Sequence, residues 1–225
     1  MKVKRLAAEK AVEYVQDGMI IGLGTGSTAY WAIQKLGEKV QKGLNIQAIA
    51  TSVLSEKLAQ QLGISLISFD QIDQIDLTID GADEITSDGN AIKGGGGALL
   101  REKIVAFASK RFIIIVDESK KVDKLGTFPL PVEIVPFGFE ITMKHLSKLG
   151  CKPVLRINQR EPSITDNGNF IADCRFGNIE SPEKLHDEIN RIPGVVENGL
   201  FIQMASNVIV GYKDGEVKDF RLFDS

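Results

Sequence analysis

MIIGLGTGSTAYWAIQKLGEKVQKG, residues 19–43, reads as a strand, a glycine-rich turn and a helix in that order. The apolar MIIGLG gives the strand, and Ser27 or Thr28 opens the helix. IQAIA and SVLSEKLAQQLG repeat the pattern as the next strand and helix. Such alternation predicts parallel βαβ units. Upstream, Val3, Leu6, Ala7, Ala11, Val12 and Val15 recur at helical spacing, with Gly18 placed to cap the helix they form. Downstream, DLTID and RFIIIVD read as further strands; the unbroken run Ile113 to Val116 is what a strand covered on both faces requires. GALLREKIVAFASK, between them, has helical character.

The texture changes at LGTFPLPVEIVPFG, where Pro129, Pro131 and Pro136 punctuate the chain. From Val132 to about Ile202 the order is strand, helix (FEITMKHLSKLG), strand (KPVLRI), the turn-rich TDNGN, strand (FIADCRF), helix (SPEKLHDEINRI) and strand. That is the split βαβ pattern of a ferredoxin-like domain. NVIVGYKDGEVKDFRLF then reads as a hairpin closing on Asp214 and Gly215 and returning to the first sheet. The expected organisation is therefore α/β, with residues 1–127 and 203–225 as the parallel-sheet domain and 128–202 as a smaller inserted α+β domain.

Composition narrows the partners. The chain has 225 residues, 43% of them hydrophobic, and a formal net charge of -3, so it can bury a large core and shows no basic footprint for nucleic acid or an anionic membrane. No apolar stretch approaches the roughly 18 residues that a membrane span needs, and MKVKRLAAEKAVEYV lacks the apolar core of a signal peptide. Cys151 and Cys174 are the only cysteines and read as small core residues in a reducing compartment. A soluble cytoplasmic protein acting on a small anionic molecule fits these bounds.

Four clusters carry chemistry. GLGTGSTA lies between a strand and a helix, where free N–H groups and the helix dipole favour an anion. Its Gly24, Gly26 and Ala29 fit a dinucleotide fingerprint, but the next strand ends in Ala50, Thr51 and Ser52 and not in the acid that would hold a ribose. No lysine precedes Ser27, so the Walker pattern fails; a plain tight turn is the other alternative. DGADEI puts Asp80 and Asp83 at the carboxyl end of a strand, where open α/β sheets place ligands, although Asp-Gly turns are common. KGGGGALLREK sets Lys93 beside four glycines, 94–97, and Glu102 in the following helix. Inside a folded layer a flexible linker is out of place, whereas backbone wrapped around a bound group fits; for Glu102 the plainer alternative is an acid complementing the helix dipole. VDESKK places Lys120 just past the RFIIIV strand, on the same sheet edge. His145 and His186 are too far apart to form a metal motif, and there is no nucleophile elbow. Acid/base chemistry on a small phosphorylated molecule remains, with no metal and no cofactor.

GTGSTA, DGADEI, KGGGGALLREK, FPLPVEIVP, TDNGN and IPGVVENGLF occur in the order and spacing of the type A ribose-5-phosphate isomerases, and the chain resembles that family over nearly its whole length. The resemblance implies a Rossmann-like catalytic domain, a small inserted domain, no cofactor, homodimers or larger assemblies such as tetramers, and interconversion of D-ribose 5-phosphate and D-ribulose 5-phosphate. Through the matching motifs it implies that Glu102 is the catalytic base. It likewise implies that Thr25, Gly26, Ser27, Thr28, Asp80, Gly81, Ala82, Asp83, Lys93, Gly94, Gly95, Gly96 and Lys120 contact the substrate, with Lys4 on the phosphate side. Leu100, where some members carry threonine, and TSVLSEK around Val53 depart from the family wording. On this reading Asp80, helped by Asp83 or Lys93, opens the sugar ring, and Lys93 with the N–H groups of Gly94 to Gly96 meets the enediolate. A sugar-phosphate-binding regulator, and a related amino-sugar-phosphate isomerase or CoA-transferase-like protein, are the alternatives. The sequence has no DNA-binding segment, and the signature nucleophile and histidine of the latter two are missing.

Overall fold

In the computed structural model, which describes residues 1–222, seven strands form one sheet in the order Val217–Arg221, Asn207–Gly211, Ser109–Asp117, Ile75–Gly81, Ile20–Leu23, Gln47–Ala50 and Ser65–Leu66. Every pairing is parallel except that of the outermost strand, Val217–Arg221, with Asn207–Gly211. The hairpin on Asp214 and Gly215 thus does return to the first sheet; Phe223 and the two residues after it lie outside the described residues. Ile113, Ile114, Ile115 and Val116 are at most 1% exposed, because helices cover both faces. On one face Ala7, Ala8 and Ala11 of the helix Lys2–Val12, with Ile33 and Leu36 of the helix Ala29–Val40, pack on Ile21, Leu23, Ile113 and Ile115. Each fully buried Ile or Leu contributes about 1.5–3 kcal/mol, so this face holds the sheet firmly.

The helix Leu99–Phe107 lies against the sheet through Val105, which packs with Ile49 and Ile75. A Cβ on Gly22 would fall 2.6 Å from Val105 Cγ1 and 1.8 Å from Thr78 Oγ1, so glycine at this point lets the helix approach. Ser109 Oγ donates to Val105 C=O at 2.6 Å and lies 2.7 Å from Thr78 Oγ1, pegging the helix end to two strands. The helix stops at the amino end of Ser109–Asp117. Its first turn, carrying Glu102, therefore points toward the carboxyl edge of the sheet.

The opening helix ends earlier than its apolar spacing predicts. Beyond Val12 the amides of Glu13, Tyr14 and Val15 bond three residues back, to Lys10, Ala11 and Val12, so the last turn tightens and still buries Val15. Gly18 has φ +81° in the following turn, where its N–H donates to Asn45 C=O, and does not cap the helix.

The chain divides into two compact units: residues 1–82, 101–121 and 204 onward make the first, and Asp83–Leu100 with Val122–Gln203 the second. The second contains a four-stranded antiparallel sheet in the order Val195–Asn198, Leu130–Ile134, Phe170–Arg175, Lys152–Leu155, with the helices Phe139–Ser147 and Pro182–Asn190. In chain order its strands lie fourth, first, third, second, which is the ferredoxin-like arrangement. Asp83–Leu100 falls with this unit and not with the parallel sheet, where the sequence reading had put it. Leu200–Phe201 pairs with Ala91–Ile92, which pairs with Glu84–Ile85, and Lys93 N–H donates to Gly199 C=O at 2.9 Å. Glu84 reinforces the link by accepting the amides of Gly126 and Phe128 at 2.7 and 2.6 Å. Cys151 and Cys174 are buried in the same core. Hydrogen bonding to Cys151, and then burial, pushes the Cys174 thiol up, so it stays protonated and inert.

Candidate active site

In the first unit, Ile20–Leu23 is flanked by Gln47–Ala50 and Ile75–Gly81, and the direction of chain progress reverses there. Open α/β sheets hold ligands beyond the carboxyl ends of strands at such a switch point. Asp80 stands at this point, 0% exposed. Its Oδ1 accepts from the amides of Thr25 at 2.9 Å and Gly81 at 2.7 Å. A Cβ on Gly24 would fall 2.1 Å from that oxygen and 2.6 Å from Asp80 Cα, so only glycine lets the turn lie across the aspartate. Gly26, at φ +104°, bends the chain into the helix Ala29–Val40, whose N-cap is Thr28. The helix dipole favours an anion at this end; the amides of Tyr30 and Trp31 donate to Gly26 and Thr28 C=O at 2.9 and 3.1 Å, so donors to an anion come from the turn that precedes them. Lys4 Nζ donates to Ser27 Oγ at 2.9 Å, bringing positive charge there, and also lies 3.9 Å from Asp117 Oδ2. Lys120 is in the short turn Glu118–Lys120 that follows Ser109–Asp117 at the same edge. Glu102 is 4% exposed, so its carboxylate is buried and not a solvated helix acid.

In the second unit, Asp83 N–H donates to Ile92 C=O at 2.8 Å, and Asp83 Oδ2 accepts the Gly95 amide at 2.7 Å. A Cβ on Gly95 would meet Asp83 Oδ1 at 2.5 Å. Gly94, at φ +102°, would place a Cβ 2.8 Å from Leu99 Cβ, and Gly97 has φ +84°. The run is therefore glycine for two reasons: left-handed backbone at 94 and 97, and close approach of a carboxylate at 95. Gly96 is exposed. Lys93 is buried at 2%, with Nζ 5.3 Å from the Phe201 ring centroid.

Two supports escaped the sequence reading. Arg156 Nη1 donates to the carbonyls of Gly94 and Gly95 at 3.0 and 3.2 Å while its other nitrogens grip Asp173, clamping the glycine run from the break between the strands Lys152–Leu155 and Ile157–Asn158, some sixty positions away. Thr51, Ser52 and Ser55 surround Thr25 Oγ1 at 2.7, 2.8 and 3.3 Å. Their only signal in the sequence was the hydroxyl-rich end of a strand where a nucleotide-binding chain would carry an acid. Among the described residues no three His, Cys, Asp or Glu side chains cluster as a metal site.

A parallel sheet with an anion-binding helix start, a buried aspartate at its switch point and a buried glutamate toward the same edge defines an α/β enzyme for acid/base chemistry on a small anion. The family description Ribose 5-phosphate isomerase A (phosphoriboisomerase A) matches residues 47–215. The ribose-5-phosphate isomerase A of Bacillus mycoides (strain KBAB4) is 59% identical over 98% of this chain and 100% of its own length. That of Oceanobacillus iheyensis, designated A 1, is 52% identical over 95% and 96%. Among solved structures, the enzyme from Methanocaldococcus jannaschii superposes with a TM-score of 0.92 at 45% identity, covering 97% of this chain and 98% of its own. A D-ribose-5-phosphate isomerase in complex with phospho-erythronic acid superposes at 0.93 with 43% identity, covering 97% of each. The chain belongs to the ribose 5-phosphate isomerase A family.

Proposed function

We propose that the chain interconverts D-ribose 5-phosphate and D-ribulose 5-phosphate, with Asp80 opening the furanose ring and Glu102 carrying the proton between carbon 2 and carbon 1. The observation that carries this reading is a near-full-length identity of 59% to a ribose-5-phosphate isomerase A, joined to the burial of both carboxylates. The turn Thr25 to Thr28 with its amides and the Ser27 hydroxyl, together with Lys4 and Lys120, holds the phosphate. Asp80 moves a proton between the anomeric hydroxyl and the ring oxygen, helped by Asp83 or Lys93. Gly81 and Ala82 join the two aspartates along the chain. Glu102 then takes the carbon 2 proton as general base and returns it to carbon 1. Lys93, with the amides of the Gly94–Gly96 run, meets the charge that develops on the enediolate, while Gly95 keeps Asp83 in place. Phospho-erythronic acid, bound by a relative, is a sugar acid phosphate whose carboxylate carries charge at one end of the carbon chain, as an enediolate does. That likeness supports an anion-stabilising site at the reacting end. Free buried cysteines and the absence of any helix long and apolar enough to cross a membrane, among the described residues, fit a cytoplasmic enzyme; family resemblance supports a homodimer.

Incubation of the purified chain with ribose 5-phosphate alone tests the reading: ketose forms until equilibrium is reached. No ketose would contradict it. Exhaustive chelation and omission of nucleotides are expected to leave the rate unchanged, because carboxylates and backbone donors supply the chemistry. A chelator-sensitive rate restored by a divalent ion would overturn that part.

Free ribose is expected to be turned over with a kcat/KM lower by more than about 100-fold, since charge-assisted hydrogen bonds contribute roughly 1.5–3 kcal/mol each and the phosphate makes several. Comparable specificity constants for the two sugars would remove the phosphate-binding roles of Thr25, Ser27, Thr28 and Lys120.

A further inference from the structure

The hydroxyls behind Thr25 form a chain that ends on the peptide holding Asp80. Thr25 Oγ1 donates to Ser52 Oγ at 2.8 Å, Ser52 Oγ to Ser55 Oγ at 3.1 Å, and Ser55 Oγ to Gly24 C=O at 2.7 Å. The Gly24 carbonyl and the Thr25 N–H belong to one planar peptide unit, and that N–H is the donor to Asp80 Oδ1 at 2.9 Å. A hydrogen bond to the carbonyl polarises the amide and strengthens the bond on its other side. Ser52 and Ser55 are each 5% exposed, so these bonds form away from solvent. Helix capping does not explain them. The cap of Val53–Gln61 uses the Ser52 side chain and only the backbone amide of Ser55, at 3.1 Å; the Ser55 hydroxyl is spent on Gly24 instead.

We infer that Ser52 and Ser55 are positioning residues for Asp80, acting through the Gly24–Thr25 peptide to hold its carboxylate in the orientation that opens the furanose ring. This rests on the ring-opening role given to Asp80 above. It separates two steps that a general loss of structure would damage together. Ribulose 5-phosphate, a 2-ketose whose 5-oxygen is esterified, has no free hydroxyl with which to close a furanose. Exchange of its carbon 1 hydrogen with solvent deuterium therefore reports proton transfer without ring opening.

Ser55→Ala is expected to lower turnover of ribose 5-phosphate about 10-fold or more, because small misplacements of a reacting group have effects of that order. Exchange at carbon 1 of ribulose 5-phosphate, followed by proton NMR, should stay within about twofold of the wild-type rate. Ser55→Thr, which restores the hydroxyl, should recover most of the turnover. Asp80→Asn, measured beside them, should show the same split with a larger loss. Unchanged turnover in Ser55→Ala, or equal loss in both assays, overturns the positioning role. Equal loss in Asp80→Asn shows that the reading of Asp80 itself fails, and the inference with it. If Ser55→Ala does not fold, the near-isosteric Ser55→Cys, a much weaker donor, is read by the same two assays.

Discussion

Gly24→Ala is expected to lower kcat/KM at least about 100-fold, because displacements of about 1 Å at reacting groups have effects of that size. The new Cβ would lie 2.1 Å from Asp80 Oδ1, 2.3 Å from Cγ and 2.6 Å from Cα. A flexible side-chain tip could swing away, but the Cα is backbone in the middle of a parallel sheet. Either the carboxylate leaves and gives up its bonds to the Thr25 and Gly81 amides, or the strands Ile20–Leu23 and Ile75–Gly81 part at their carboxyl ends. Overpacking of this kind typically costs about 1–3 kcal/mol, so a lower thermal midpoint should accompany the kinetic loss. Gly43→Ala, outside the site, is the control. At Gly43 a Cβ meets nothing within 4 Å, leaving only the strain of φ +104°. Wild-type activity in Gly24→Ala would mean that Asp80 does not need its place in the turn.

How much of this could be read from the sequence depended on how local each cause is. The strand and helix of residues 19–43, the apolar strand around Ile113 to Val116 and the split βαβ order of the inserted unit follow from short-range patterns, and all appear in the fold. The glycine run was legible as backbone that must come close to another group. Its partner was not, because the carboxylate it holds is Asp83, twelve positions back. The membership of Asp83–Leu100 in the second unit was hidden for a similar reason: it is set by pairing with Leu200–Phe201, more than a hundred residues on. Arg156 carries no local mark of its grip on Gly94 and Gly95. Thr51, Ser52 and Ser55 looked like the absence of a nucleotide-binding acid, and their hydroxyls instead line the turn. Short-range patterns thus located the carboxylates, and long-range pairing supplied the groups that orient them.

Glu102→Gln carries the largest consequence for the mechanism. The side chain keeps its length and its hydrogen-bonding reach in a site where it is only 4% exposed, but it loses the ability to accept and return a proton at neutral pH. General acid/base catalysis contributes about 10²- to 10⁴-fold, so kcat should fall by at least roughly that factor. On the proposed reading substrate recognition lies elsewhere, in the turn Thr25 to Thr28 and at Lys4 and Lys120, so affinity for a competitive sugar phosphate should change little. In the intact enzyme, deuterated solvent should also leave label on carbon 1 of the ketose, since a carboxyl group exchanges its proton while the enediolate lasts.

The most direct test is the pair of numbers from one variant: kcat of Glu102→Gln with ribose 5-phosphate, and its dissociation constant for a sugar-acid phosphate such as phospho-erythronic acid, compared with that of the unsubstituted chain. The account predicts a kcat lower by about 100-fold or more beside a nearly unchanged dissociation constant. A variant that kept about a tenth or more of the wild-type kcat would contradict it, and would move the role of base to Asp80 or Asp83.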